Sequence, residues 1–202
     1  PYTTLFRSRA YIWFTCMFLI IPNAIITVLH GACLAQTVNG FLIVCISFFD
    51  LILGTNFLIV ASADTHYGST FIKESASWMK GKLCVSVRML TLVAHSSHIF
   101  IEMLMTIHQF INIVLVFKSL NISLHAIRRI FLLWLSLDLI FGAAIALFTG
   151  DWYFKHKTNY FSPICISEIF ISEGYIMRCI RYFYLCFMTI TACCNIFCQL
   201  CI

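Results

Sequence analysis

Residues 39–63 read NGFLIVCISFFDLILGTNFLIVASA, and Asp50 is the only charged side chain among them. A helix needs about 20 mostly apolar residues to cross the hydrocarbon core of a bilayer, and this run is long enough. The run is also continuous, whereas a strand of a membrane β-barrel alternates apolar and polar residues over about ten positions. The stretch therefore predicts a transmembrane helix.

Apolar runs of similar length lie on both sides of this stretch. Each is long enough to cross a bilayer as a helix, and the connections between the runs alternate between short and long. The sequence therefore predicts an all-α, multipass transmembrane helix bundle. Its five spans cover about residues 10–33, 39–63, 83–117, 129–148 and 174–202.

The composition excludes several classes of protein. Hydrophobic residues make up 61% of the chain, charged residues only 10%, and the mean hydropathy is +0.95. A soluble domain carries ~25% charged residues, so this chain is expected among membrane lipids. The formal charge of +5 is scattered between apolar runs, which argues against a nucleic-acid partner. No nucleophile is paired with a base, so we expect neither an enzyme nor a cofactor.

The two ends of the sequence bear on its domain organisation. It begins at Pro1 without an initiator Met and stops at Ile202 inside an apolar run, so we expect an internal fragment of a longer protein. Residues 1–8, PYTTLFRS, resemble a translated sequencing adapter and are set aside. Residues 9–202 then form one partial transmembrane domain.

The third span carries most of the ionisable residues. Arg88, His95, Glu102 and Gln109 recur every seven residues, and His98 follows His95 by three, so one helix face collects them. This spacing predicts a central helix whose polar seam hydrogen-bonds to its neighbours. The alternative is that His95, His98 and Glu102 bind a metal ion or relay protons, as in a transporter or channel.

Eleven cysteines fall into two groups. Most lie in the spans, where cysteine behaves as a small apolar residue. Cys84 and Cys165 instead adjoin or occupy the two long loops on one side of the membrane, and they can pair if that side is extracellular. For the group near the end of the chain we expect core packing, with juxtamembrane palmitoylation as the alternative. That group comprises Cys193, Cys194, Cys198 and Cys201.

Three of the spans each contain a polar or aromatic residue within a distinctive short sequence. Asn23 lies in IIPNAII, Asp50 in ISFFDLILG and Trp134 in FLLWLSLDL. At these positions the chain resembles the rhodopsin-like G protein-coupled receptors, whose first, second and fourth helices carry the same residue types. The resemblance implies that five of the seven helices of a receptor bundle are present.

The start of the third span narrows the resemblance. Trp78, which is followed by a Met, stands six residues before Cys84, and this arrangement resembles the leucine-rich-repeat group that includes the relaxin and glycoprotein-hormone receptors. Cys165 matches the loop cysteine of the family. The resemblance implies a disulfide between Cys84 and Cys165 and structural roles for Trp78 and Trp134.

The resemblance also implies an interior polar core formed by Asn23, Asp50 and His98. In the family, a sodium ion binds at the residue matching Asp50, with help from a serine in the third helix. This chain has His98 at the position of that serine. An imidazole there is expected to pair with Asp50 in place of the ion and to form a proton-sensitive contact.

The end of the third span departs from the family. Family members have an acid, a basic residue and an aromatic there, whereas this chain has His108, Gln109 and Phe110. These residues are the expected transducer-facing end. The resemblance implies a plasma-membrane receptor for an extracellular ligand, such as a peptide or protein hormone, that signals to a heterotrimeric G protein. A decayed receptor that no longer signals is the alternative, because the basic residue is missing.

Overall fold

The computed structural model describes residues 2–67, 78, 81–114, 122–153 and 175–201, and within these ranges the chain is helical with no strand. The all-α prediction is therefore confirmed for the described part. The helices are α1 (Tyr2–Ala24), a π-helical segment (Ile25–His30), α2 (Gly31–Leu34), α3 (Val38–Tyr67), α4 (Lys82–Val114), α5 (Leu124–Tyr153) and α6 (Tyr175–Cys201).

The first predicted span is an interrupted helix. Pro22 lies inside α1 and has no N–H to donate to the preceding turn. The π-helical segment starts three residues later, at Ile25, and leads into the short α2. A wider turn next to a proline is a common way for a long helix to bend. The helix already begins at Tyr2, inside the octapeptide that the sequence analysis set aside.

Side-chain caps fix where α3 and α5 begin. Thr37 Oγ1 accepts a hydrogen bond from the backbone N–H of Gly40 at 3.1 Å. Ser123 Oγ does the same for Ala126 at 3.2 Å. Threonine and serine are favoured at this position because their oxygens bond backbone donors that have no partner inside the helix. Both caps lie at the same end of the bundle.

The central helix is α4, as the sequence predicted. It contacts α3, α5 and α6, while α1 packs against α3. The main core lies between α3, α4 and α5 and is built from Leu42, Phe49, Ala94, Phe100, Ile101, Leu104, Ile127 and Phe131. Edge-to-face contacts join α3 to α5 within it, because the ring of Phe131 meets those of Phe41 and Phe49 at centroid distances of 5.9 and 6.2 Å.

Three helices of the described part are long and apolar enough to cross a membrane: Val38–Ala63, Lys82–Ile113 and Tyr182–Leu200. They correspond to the second, third and fifth predicted spans. The first span contributes a shorter apolar helix, Trp13–Leu29. The fourth predicted span lies in α5 and extends beyond the side chains that the structure describes, so it stays a prediction.

Two glycines allow helices to approach closely. A Cβ added at Gly54 of α3 would lie 2.8 Å from Ile20 Cγ1 and 3.1 Å from Leu19 Cβ, both on α1. A Cβ at Gly142 of α5 would lie 2.8 Å from Val93 Cγ2 on α4. Small residues at such crossings let membrane helices pack backbone to backbone, where packing rather than hydrophobicity drives association.

We expect Gly54→Ala to destabilise the bundle relative to Gly31→Ala. Both substitutions gain the same helix propensity, but a Cβ at residue 31 meets only Val44 Cγ1, at an ordinary 3.7 Å. The stability difference between the two variants therefore isolates the packing cost, about 1–3 kcal/mol for an overpacked site. Thermal unfolding in detergent micelles measures it. Equal melting temperatures would contradict the close α1–α3 crossing.

Candidate functional site

A histidine on α4 lies between two carboxylates. His98 Nδ1 is 2.9 Å from Asp50 Oδ1 on α3, and His98 Nε2 is 3.2 Å from Glu102 Oε1, one turn further along α4. We call Asp50, His98 and Glu102 the histidine bridge. Its first contact is the one that the resemblance implied, and it links two helices that are both long and apolar enough to span a membrane.

The histidine bridge is partly open. The side chains of His98, Asp50 and Glu102 keep 22%, 20% and 46% of their surface. The contact to Asp50 is close but not aligned as a hydrogen bond, because Nδ1 satisfies no hydrogen-bond geometry although it is buried. A proton on either ring nitrogen lies next to a carboxylate, so the bridge can hold a positive charge between two negative ones.

The seven-residue seam on α4 does not form one buried face. Arg88 and His108 are buried, whereas the side chains of His95 and Gln109 are exposed. The prediction that His95 and Gln109 face the bundle interior is wrong for the described part of the chain. A strict heptad drifts ~20° per repeat around a straight α-helix, so residues 88 and 109 differ by about 60°. This drift accounts for the exposure of Gln109 but not for that of His95, which is only one repeat from the buried Arg88.

The predicted interior core is only partly assembled. Asp50 and His98 meet, but Asn23 uses its side-chain amide to donate to the backbone carbonyl of Leu19 in its own helix, at 2.8 Å. Asn23 is half-buried. This is a local bond four residues back along α1, and it needs no partner from another helix.

A buried carboxylate between α4 and α5 was not selected from the sequence. Asp138 on α5 accepts hydrogen bonds from the hydroxyls of Ser96 and Ser97 on α4, at 2.5 and 3.0 Å. All three residues are buried. We call them the serine–carboxylate site. The signal in the sequence was an aspartate within an apolar run, which in a membrane usually faces other helices.

The predicted structural residues lie in packed positions. The Trp134 ring stacks between Phe100 of α4, at 4.3 Å and 9°, and Phe187 of α6, at 5.1 Å and 20°. Trp78 is buried and packs in a cluster with Cys84, which is fully buried and is not among the free cysteines. Cys165 lies outside the described residues, so its pairing with Cys84 stays a prediction.

The predicted transducer-facing residues occupy one end of the bundle, but they differ in exposure. His108 is buried, and its Nδ1 lies 2.9 Å from Asn39 Oδ1 on α3. Gln109 is exposed and Phe110 is half-buried. His108 therefore serves as an interhelical contact in this structure. Of the three residues, Gln109 is the one whose side chain does not pack in the core.

Basic and polar side chains connect the helices at the same end of the bundle. Arg128 Nη2 donates to the backbone carbonyl of Ala35 at 2.7 Å, and its guanidinium lies 5.4 Å from the centroid of the Phe41 ring. Asn112 donates to His108 Nε2 at 3.1 Å. We call this the basic end of the bundle. A guanidinium over an aromatic ring adds a cation–π attraction to the hydrogen bond.

The cysteines near the end of α6 do not pack in a core. Cys193 and Cys194 are exposed and Cys198 is half-buried. The side chain of Cys201 is outside the described residues. The prediction of core packing is therefore wrong for Cys193 and Cys194, whereas Cys198 follows the buried Thr191 by seven residues and lies on the same face of α6.

The described residues offer no metal site, and the chain matches no family model. No group of three histidine, cysteine or acidic residues in the described ranges is placed to hold a metal ion. A scan against models of protein families finds no match, and a search of curated proteins finds none either.

We expect Ser96→Ala to cost about 0.5–2 kcal/mol of bundle stability, the range of interhelical hydrogen bonds in membranes. The cost should vanish in an Asp138→Ala background, because the hydroxyl then has no carboxylate to meet. Unfolding in mixed micelles measures the double-mutant cycle. Ser136→Ala is the matched control, since Ser136 is exposed and bonds only the carbonyl of Leu132 in its own helix. An unchanged cost in both backgrounds would contradict the serine–carboxylate contact.

Proposed function

We propose that this chain is the transmembrane part of a rhodopsin-like receptor, most similar to the leucine-rich-repeat group. It would receive an extracellular signal and pass it to a heterotrimeric G protein at the plasma membrane. The observation that carries the proposal is the histidine bridge, which joins α3 and α4 at the two positions where the family holds its sodium ion. In this proposal Cys84 and Cys165 form the disulfide at the extracellular end.

The arrangement of helices supports the proposal. A receptor bundle needs one helix that touches most of the others, and α4 contacts α3, α5 and α6. The tryptophan of the fourth span, Trp134, lies at the meeting point of α4, α5 and α6 through its two stacking contacts. Signalling by such a bundle is a shift between two packings, biased by ligand on one side and transducer on the other.

The histidine bridge suits a switch element better than a transport path. His98 and Glu102 are four residues apart on α4, so the bridge extends only ~6 Å along the helix axis. The hydrocarbon core is about 30 Å thick, and a proton path would need acceptors along most of it. The transporter alternative also counted on His95, whose side chain is exposed outside the bridge.

The basic end is the proposed transducer side. In short loops and at adjoining helix ends, Lys and Arg concentrate on the cytoplasmic side, and residues 115–129, which include the first turns of α5, carry Lys118, Arg128 and Arg129 with no acid. Gln109 is exposed near this end, at the position where the family has its basic residue. The missing charge predicts weak coupling.

The first test restores that charge. We expect full-length Gln109→Arg to raise basal G protein activation several-fold above the unmodified receptor, because an exposed guanidinium can meet the transducer without displacing core residues. Nucleotide exchange on G proteins in membranes of expressing cells measures it. Gln109→Leu is the control, since it changes the same side chain without adding charge. No exchange in any variant would reject signalling and favour the decayed-receptor alternative.

The second test concerns the ion that His98 replaces. We expect the melting temperature of the unmodified protein to be the same in NaCl and KCl at equal ionic strength. His98→Ser should melt higher in NaCl, because a hydroxyl beside Asp50 recreates a sodium site and a bound ion stabilises the folded state. The double variant His98→Ser, Asp50→Asn should lose the sodium effect. A sodium effect in the unmodified protein would contradict the replacement.

A further inference from the structure

One polar face of α4 stays open within the described part of the chain. His95, Glu102 and Gln109 follow one another at seven-residue spacing, and we call this row the open face. His95 and Gln109 are exposed, and the Glu102 side chain keeps 46% of its surface. Ionisable groups within a membrane span are costly when they face lipid, so they usually face protein or a water-filled cavity. The open face therefore calls for a polar partner.

The open face lies between α3 and α6. His98 contacts α3 through Asp50, and Leu92 packs with Tyr184 of α6. At ~100° per residue, the open face occupies a sector of about 40° between the directions of His98 and Leu92. The face is thus bounded by α3 on one side and by α6 on the other.

The open face carries an excess of negative charge. Asp50 and Glu102 contribute two carboxylates to the histidine bridge, whereas His98 between them contributes at most one positive charge. His95 precedes His98 by only three residues on the same helix, so a second imidazolium forms only against the repulsion of the first. A partner that brings positive charge therefore suits this face.

Asn195 of α6 adds an acceptor near this face. It follows the buried Tyr184 by eleven residues, so the two side chains point in directions only about 20° apart. Helices α4 and α6 run in the same direction, because their contacts advance together from Leu92 and Tyr184 to the stack that includes Phe100 and Phe187. Asn195 is therefore level with the second half of the open face. Its Oδ1 is buried and has no hydrogen-bond partner among the described residues, so it also calls for a donor.

A helix fits the open face better than a small ligand does. The row extends from His95 to Gln109, ~21 Å along the axis, which is most of the ~30 Å hydrocarbon core. A small ligand leaves part of such a row facing lipid. A seven-residue repeat is also the spacing at which two helices wind around each other and keep one seam in contact. A second copy fits poorly, because two parallel copies bring their Glu102 carboxylates together.

We propose that the open face of α4 binds a partner transmembrane helix that carries a Lys or Arg side chain level with Glu102. The cation lies against the Glu102 carboxylate, on the exposed side of the histidine bridge. Polar side chains seven residues before and after the cation meet His95 and Gln109. The ammonium or guanidinium group supplies the positive charge and the N–H donors that the face lacks. The proposal concerns assembly within the membrane and does not depend on the receptor function.

Association of the reconstituted full chain with a designed helix tests this. The probe is a synthetic membrane-spanning leucine–alanine helix with one central Lys, and the matched probe has Leu at that position. Energy transfer in phosphatidylcholine vesicles, from a dye on the chain to a dye on the probe, measures binding. We expect the Lys probe to bind about three- to tenfold more tightly than the Leu probe, the range of one polar contact between membrane helices.

Two variants of the chain locate the binding. Glu102→Gln should remove the preference for the Lys probe, because it keeps the shape of the side chain without its charge. Asp138→Asn is the matched control, since that carboxylate is buried between α4 and α5, and the preference should persist. The melting temperature of each variant in detergent verifies that it is folded.

Photo-crosslinking gives a second readout that does not depend on these variants. A benzophenone amino acid at residue 95 should label the Lys probe, whereas one at residue 133, where Leu133 is exposed on α5, should not. Equal labelling from both positions overturns the proposal, as does an unmodified chain that binds the two probes equally. A preference that survives Glu102→Gln, or that a folded Asp138→Asn loses, overturns the assignment to the open face. Energy transfer between copies of the chain, without a preference for the Lys probe, assigns the face to a second copy instead.

Discussion

Several polar side chains of α4 find partners on other helices, because the apolar interior of the bundle offers few other polar groups. This constraint determines which helices pack together. Ser96 and Ser97 reach Asp138 on α5, His98 reaches Asp50 on α3, and Thr91 accepts from the buried Asn56 of α3 at 3.2 Å. Neighbouring residues of one helix thus bind two different helices. The apolar core fills the space between these polar contacts.

Glycine and aromatic residues complete the packing in a different way. Gly54 and Gly142 bring backbones close and fix the distances of α1 from α3 and of α4 from α5. The aromatic contact between α6 and the rest is of another kind, since Phe187 stacks on Trp134. A stacked pair tolerates sliding better than a hydrogen bond between two fixed groups. The contacts that hold the helices together therefore differ in how strictly they fix the relative positions of those helices.

Composition and continuous apolar runs were enough to predict helices, and the ionisable residues of the third span predicted its central position. The Asp50–His98 contact was within reach because the family resemblance placed both residues at one site. The serine–carboxylate site was not, since nothing in a single sequence states which face of α5 carries Asp138. The exposure of Gln109 was missed because heptad spacing ignores the drift of a straight helix over three repeats. The outward position of Cys193 and Cys194 depends on how α6 is rotated, which hydropathy cannot give.

The two polar sites on α4 constrain its movement together. Ser97 and His98 are adjacent, so their side chains point about 100° apart around the helix axis, one toward α5 and one toward α3. Rotation of α4 in either direction carries both away from their partners at once. The cost of rotating α4 therefore combines the loss of two contacts, whereas α6 can move while its aromatic stack adjusts. If the bundle switches between two packings, α4 acts as the fixed reference and α6 is the helix that moves against it.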